Sequence, residues 1–249
     1  MNDTDVWIRR YFPSADAAVQ LVCLPHAGGS APFYRPVAQA LSPRVEVLAV
    51  QYPGRQDRRH EPMIDDLGVL ADRVCEAVAA AVDRPFALFG HSMGATLAFE
   101  TASRLEGRQM FPMRVFASGR RAPSRVRDER VHLRDDDGMV AELRALSGTD
   151  QRIFGDEEIL RMVLPAIRND YRAAETYRYT PGPRLRCPIT ALTGDSDPKA
   201  SHEEVDAWRA HTAAAFELKT YPGGHFYLVD HVPEVLRVID ERLSEPALR

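Results

Sequence analysis

The run Gly90-His91-Ser92-Met93-Gly94 constrains this chain more than any other five residues because of what flanks it. Before it stands Pro85-Phe86-Ala87-Leu88-Phe89, a short apolar stretch of strand character. After it comes Ala95-Thr96-Leu97-Ala98-Phe99-Glu100-Thr101-Ala102, which reads as a helix. Glycines on either side of a serine at such a junction permit a sharp turn and a close approach of strand and helix. The serine hydroxyl is then left exposed at the carboxyl edge of a sheet. The pentapeptide alone is a weak signal, and the strand–turn–helix setting makes it a strong one.

The rest of the chain supplies the sheet. Val19–Leu24, Val45–Val50, Arg114–Ser118, Pro188–Leu192 and Phe216–Tyr221 read as further strands. Helical patterns lie between or beyond them at about 33–41, 66–82 and 233–243. Strands alternating with helices imply right-handed crossovers and a mostly parallel sheet. The alternation stops from about 123 to 180, where the chain is charged, helical in pattern and without an obvious strand. There Leu160, Leu164, Ile167, Tyr171 and Ala174 recur at spacings of three and four, the mark of an amphipathic helix. The expectation is one α/β domain over residues 1–249, an α/β-hydrolase fold whose helical insertion at about 123–180 serves as a lid.

Composition narrows the function classes. With 249 residues, 45% hydrophobic and 27% charged, the chain suits a single globular α/β unit. A net charge of −4 with no long basic run argues against a nucleic-acid partner. No stretch approaches the roughly 20 apolar residues of a membrane helix. Met1-Asn2-Asp3-Thr4-Asp5 is acidic and lacks the apolar core of a secretory signal, so a cytoplasmic location is expected. Cys23, Cys75 and Cys187 are scattered and lie in apolar contexts, which reads as buried free thiols in a reducing compartment, with no zinc spacing.

A serine hydroxyl needs a base within hydrogen-bond reach to become a nucleophile. On this fold the partners follow in chain order, an acid and then a histidine, each in a loop after a later strand. Of eight histidines, His225 fits: it stands in Pro222-Gly223-Gly224-His225-Phe226, after the last strand and before the C-terminal helix. The acid belongs in Thr193-Gly194-Asp195-Ser196-Asp197-Pro198, where two aspartates compete. Asp197 lies further into the loop and is favoured, with Asp195 left to a turn or cap. The oxyanion hole is expected from the backbone N–H of Met93 and of Ala27, with Gly28 as second choice for the latter. His91 reads as a packed structural residue, and His60, His132, His202, His211 and His231 as surface residues. Arg120, Arg121, Arg125, Arg127, Arg130 and Arg134 cluster before and within the insertion; a solvated face is the ordinary reading, and steering of an acidic partner or phosphate the sharper one.

Taken together these residues resemble the type II thioesterases, discrete hydrolases that accompany bacterial polyketide synthases and nonribosomal peptide synthetases. The resemblance covers nearly the whole chain. It includes Trp7-Ile8-Arg9-Arg10, Leu24-Pro25-His26-Ala27-Gly28-Gly29, Tyr52-Pro53-Gly54-Arg55 and Ser118-Gly119-Arg120-Arg121-Ala122-Pro123. It extends to Leu146-Ser147-Gly148-Thr149 and Leu164-Pro165-Ala166-Ile167-Arg168-Asn169-Asp170-Tyr171. The family pattern supports Asp197 over Asp195. It implies hydrolysis of acyl thioesters on the phosphopantetheine arm of acyl or peptidyl carrier proteins, to remove stalled or aberrant groups. The arm is expected to pass between lid and sheet, and no metal or redox cofactor is implied.

Two other readings use the same residues. One is a carboxylesterase acting on free small-molecule esters; the other, from a different class, is a noncatalytic partner that binds carrier proteins. The chain starts at its own methionine with a short lead and holds no carrier segment, so a free-standing enzyme is expected rather than a chain-terminating domain. A monomer is the default oligomeric state.

Overall fold

The structure is a computed structural model that describes residues 6–146 and 157–244. Met1–Asp5 and the Ser147–Thr149 part of the resemblance lie outside the described residues. Among the described residues seven strands form one sheet: β1 (Ile8–Arg10), β2 (Val19–Leu24), β3 (Val45–Val50), β4 (Phe86–His91), β5 (Val115–Ser118), β6 (Ile189–Gly194) and β7 (Phe216–Tyr221). Their spatial order is β1-β3-β2-β4-β5-β6-β7. Every pairing is parallel except that of β1, which runs antiparallel to β3 with Ile8 opposite Val50. Six of these strands fall where the alternation placed them; β1 is additional. Strands β2, β3, β4, β5 and β6 are buried at every position, because helices cover both faces, and their sequences are correspondingly apolar runs.

The helices are α1 (Arg35–Leu41), α2 (Leu67–Ala81), α3 (Met93–Gly107), α4 (Asp136–Leu146), α5 (Glu157–Thr176), α6 (His202–Asp206), α7 (Tyr227–Asp230) and α8 (Val232–Leu243). Helix α2 starts where a capping aspartate permits: the Asp66 carboxylate accepts from the Val69 N–H at 2.9 Å. Helices α2 and α3 pack with Leu88, Val22 and Ile189 on one face of the sheet. Helices α1 and α8 pack with Leu21, Val47 and Phe116 on the other. A third, smaller cluster joins Val131, Met139 and Leu143 to Leu164 and Ile167, so α4 and α5 share a core of their own between β5 and β6. The described residues of that insertion form helices and turns and no named strand. All three cysteines are free and buried.

The β7 edge of the sheet is half-buried and carries charge. Glu217 accepts from Arg242 on both oxygens at 2.8 Å and pairs with Lys219 at 2.7 Å. Among the described residues no helix is long and apolar enough to cross a membrane.

Candidate active site

Ser92 occupies the turn between β4 and α3 with φ 54° and ψ −119°, a left-handed conformation that non-glycine residues rarely adopt. The turn is so tight that a Cβ at Gly90 would overlap the Gly94 carbonyl, and one at Gly94 would overlap the Leu24 carbonyl of β2. Both glycines are therefore required by backbone-to-backbone contact. The Ser92 N–H donates to the Ser118 carbonyl at 2.8 Å, which fastens the turn to the end of β5.

His225 and Asp197 converge on this serine from the loops after β7 and β6. The Ser92 Oγ lies 2.9 Å from His225 Nε2, and His225 Nδ1 lies 2.9 and 3.0 Å from the two Asp197 carboxylate oxygens. Asp197 also accepts the Lys199 N–H at 2.8 Å. His225 is 3% exposed and Asp197 8%, so this hydrogen-bonded chain runs in a largely water-excluded setting. Asp195 does something else. Its carboxylate accepts the Gly223 N–H at 3.0 Å, binding the acid loop to the histidine loop.

The two expected oxyanion donors have different neighbours from Gly28. The Gly28 N–H is already committed, donating to the Asp170 carboxylate of α5 at 2.8 Å. No acceptor among the described residues takes the Ala27 or Met93 N–H. Ala27 and Met93, with Ser92, line the same chamber. Ala27 is thus available where Gly28 is not.

Two neutral histidines back the site. Burial, reinforced by His225, pushes His26 down to about 4 and His91 well below its ordinary value. His91 is fully buried, its Nδ1 2.9 Å from the Ser118 Oγ, which in turn lies 2.6 Å from the Tyr227 hydroxyl. The packed role expected of it holds. His132 and His211 do not lie on the surface as expected. His211 is 3% exposed, enclosed by Phe99, Tyr179 and Trp208, and burial lowers it to about 4. His132 Nδ1 meets Glu175 at 2.5 Å. Their sequence neighbours are polar, but the fold turns both side chains inward.

The chamber beside Ser92 is narrow, with a cavity volume of about 50 Å³, and it opens to solvent. Leu143 and Leu146 of α4 and Phe226 give it apolar wall, while Arg120, Glu129 and Lys199 give it charge. Sequence reasoning assigned none of Leu143, Glu129 or Lys199 to the site, because they come from separate segments. Lys199 pairs with Glu129 at 3.1 Å and with Glu142, and Arg121 pairs with Glu129 at 2.5 Å. Arg120 differs: its guanidinium donates to the Thr96 hydroxyl at 3.1 Å and the Ala174 carbonyl at 3.3 Å, both neutral. Burial, with Arg121 nearby, lowers it to about 10.

The arginine cluster divides by partner. Arg127 grips Glu204 at 2.7 and 2.5 Å and donates to the Pro198 carbonyl at 2.8 Å; Arg121 donates to the Lys199 carbonyl at 3.2 Å. These two brace the loop that carries Asp197. Arg130 and Arg134 pair with Asp128 and Glu142, both at 3.0 Å. Arg120, exposed Arg125 and exposed Arg178 have no carboxylate partner among the described residues, and they line a second cleft that shares Arg120, Ala174 and Glu175 with the chamber.

A mostly parallel sheet with a strained serine turn, and a histidine and an aspartate delivered by its last two strand-end loops, defines a serine hydrolase of the α/β-hydrolase fold. Residues 19–243 match the thioesterase domain family, and the chain belongs to that family. It is 51% identical to Thioesterase PikA5 of Streptomyces venezuelae over 97% of this chain and 86% of that one. It is 55% identical to a probable cadicidin biosynthesis thioesterase of Streptomyces griseus over 95% of its own length, and spans 66% of that relative's. Among solved structures it is similar to BorB, a type II thioesterase from the borrelidin biosynthetic cluster, with TM-score 0.91 and 58% identity, covering 96% of this chain and 98% of that one.

Proposed function

We propose that this protein hydrolyses acyl thioesters carried on the phosphopantetheine arm of carrier proteins, clearing stalled or aberrant groups from a polyketide or nonribosomal peptide assembly line. The observation that carries the reading is the unbroken Asp197–His225–Ser92 hydrogen-bond chain opening on a chamber in a thioesterase-family chain. The similarity to the type II thioesterase BorB supports the editing role. The cytoplasm, where such synthases work, is the location that fits it.

In this mechanism His225 Nε2 takes the Ser92 proton as Oγ attacks the thioester carbonyl. The Met93 and Ala27 N–H groups hold the oxyanion of the tetrahedral intermediate. The pantetheine sulfur leaves as a thiol with the proton from His225, giving an acyl-serine. Water then attacks that ester, His225 again acting as base, and the free acid departs. Asp197 holds the imidazole tautomer and stabilises the imidazolium without taking the proton. Helices α4 and α5 form a lid over the chamber, and the arm enters between them and the sheet. Arg120, Arg125 and Arg178, none in an ion pair with a carboxylate among the described residues, line the cleft beside that entrance, which suits the arm's phosphate and an acidic carrier surface.

Acyl-loaded carrier proteins incubated with wild type and with Ser92→Ala, read by intact-protein mass spectrometry, test the reading. Loss of acyl mass with wild type alone supports it. Carriers that stay loaded while simple esters are cleaved would make the protein a general esterase, and inertness towards both would leave a binding role.

A further inference from the structure

Two of the segments that carry the family resemblance, Tyr52-Pro53-Gly54-Arg55 and Arg168-Asn169-Asp170-Tyr171, take no part in the hydrogen-bonded chain at Ser92. They meet each other instead. Arg55 lies in the turn after β3 and Asp170 on α5, and they form a two-pronged ion pair. Nη1 reaches Oδ2 at 2.5 Å and Nη2 reaches Oδ1 at 2.8 Å. Arg55 is 8% exposed and Asp170 1%. Burial alone would lower the Arg55 guanidinium, and the adjacent Asp170 carboxylate reverses this and holds it above its usual value.

The pair has a third member. Asp170 Oδ2 accepts the Gly28 N–H at 2.8 Å, and Arg55 Nη1 also donates to the Gly29 carbonyl at 3.3 Å. The loop after β2, the turn after β3 and helix α5 are therefore tied at one carboxylate. Packing reinforces the tie. Gly28 has φ +76°, and a Cβ there would come within 2.6 Å of Ile167 Cγ1, on the same helix as Asp170.

A buried ion pair is a poor source of net stability, because desolvating both charges offsets most of their attraction. It is a good source of orientation, since a guanidinium fork and a carboxylate fit in one geometry. The Gly28 N–H stands one planar peptide unit beyond the Ala27 N–H, so holding it, together with the Gly29 carbonyl, anchors the loop immediately next to Ala27 and limits how far the Ala27 N–H can shift. We infer that Asp170 is a positioning residue for the oxyanion hole: docking of α5, through Asp170 and Arg55, aims the Ala27 N–H. Movement of the helix away from the loop then lowers the rate of the chemical step as well as opening the chamber. This inference rests on the oxyanion role given to Ala27 above.

Asp170→Asn keeps the shape and one oxygen able to accept from Gly28, but weakens the fork; Asp170→Ala removes both. Each is assayed well below its melting temperature on a soluble acyl thioester with no carrier. Inhibition by a trifluoromethyl ketone, whose adduct with Ser92 places an oxyanion in the hole, is measured alongside. Removing one oxyanion donor typically costs about 10²–10³ in kcat, so Asp170→Ala should lose about 10²-fold and Asp170→Asn about tenfold. KM should move little, and ketone affinity should fall in step with kcat. A role confined to stability would lower the melting temperature while leaving kcat and ketone affinity unchanged in folded protein, and that result would overturn the inference. Should Asp170→Ala not fold, Arg55→Lys, which keeps the charge and loses the fork, is expected to give the same parallel fall. Wild type that ignores the ketone, or Ser92→Ala that still turns over, would instead sink the proposed mechanism itself.

Discussion

Asp197 accepts from His225 on both carboxylate oxygens and from the Lys199 amide on one, so replacing it by asparagine tests orientation rather than size. An asparagine presents an amide group that favours the wrong imidazole tautomer. Asp197→Asn should therefore remain folded and lose about 10⁴ in kcat, the scale found when a triad aspartate is so replaced. Steady-state kinetics with circular dichroism checks both halves of that expectation. Ser92→Ala should lose still more, about 10⁶ in kcat, leaving only residual hydrolysis. The places of Ser92, Asp197 and His225 were legible because each stands just after a strand, and strand ends are read from local pattern. Asp170 and Arg55 were not legible in the same way. They are 115 positions apart, and nothing local to either says that one carboxylate will serve two loops. Polar sequence neighbours misplaced His211, since an aromatic enclosure built from Phe99, Tyr179 and Trp208 leaves no local trace.

Helix α5 shows how far periodicity reaches at the scale of an element. The spacing of Leu160, Leu164 and Ile167 correctly announces an amphipathic helix, and Leu164 and Ile167 are indeed buried against α4. It does not announce that Asp170, on the same helix, faces a loop of the sheet. Strand β1 is three residues long and two of them are arginines, too little for a period-two pattern to register. Helix α6 has only five residues, and its capping box of Ser201 with Glu204 is the one local sign of it. The cleft between the segment after β5 and the end of α5 supports a prediction. Charge reversal at Arg125 and Arg178 together removes the exposed, carboxylate-free part of its positive charge. KM for a carrier-bound acyl thioester should rise about tenfold, the effect of a lost rim charge or two on association, with kcat unchanged. A short soluble thioester should be hydrolysed as before. Equal losses on both substrates would place the arginines in the fold rather than in recognition.

Acid should loosen the molecule in two stages, because the shifted groups that titrate in the acid range act in one direction. His26 and His211 are held neutral, lowered to about 4 from an ordinary value of 6.5. Between those limits the unfolded chain binds protons that the folded chain refuses, so stability falls as pH drops from about 6.5 towards 4. Glu217, lowered to about 2 chiefly by its bonds to Arg242, and Glu204, desolvated but lowered to about 2 by Arg127 and Ser201, add a second loss below about 4.5. His211→Gln retains a side chain able to meet Ser124, which lies 2.9 Å from the histidine Nε2. Its melting temperature should fall less than that of wild type between pH 7 and pH 5, measured by differential scanning fluorimetry. A slope identical to wild type would show that His211 does not contribute to the first stage.

The edge formed by β7 has a consequence for life at high concentration. A parallel sheet that ends in an open strand offers its unpaired backbone groups to any extended segment nearby. Here the outer strand carries Glu217 locked to Arg242 and Lys219, so a second strand could dock only by stripping those charges of water and of one another. Glu217 and Lys219 on the strand, with Arg242 of α8, act as a guard against runaway strand addition at the end of the sheet order opposite β1. Replacing Glu217 and Lys219 by valine would favour strand formation and extinguish the guard. The resulting protein should cleave its substrate normally when fresh and form fibrillar or amorphous particles on storage.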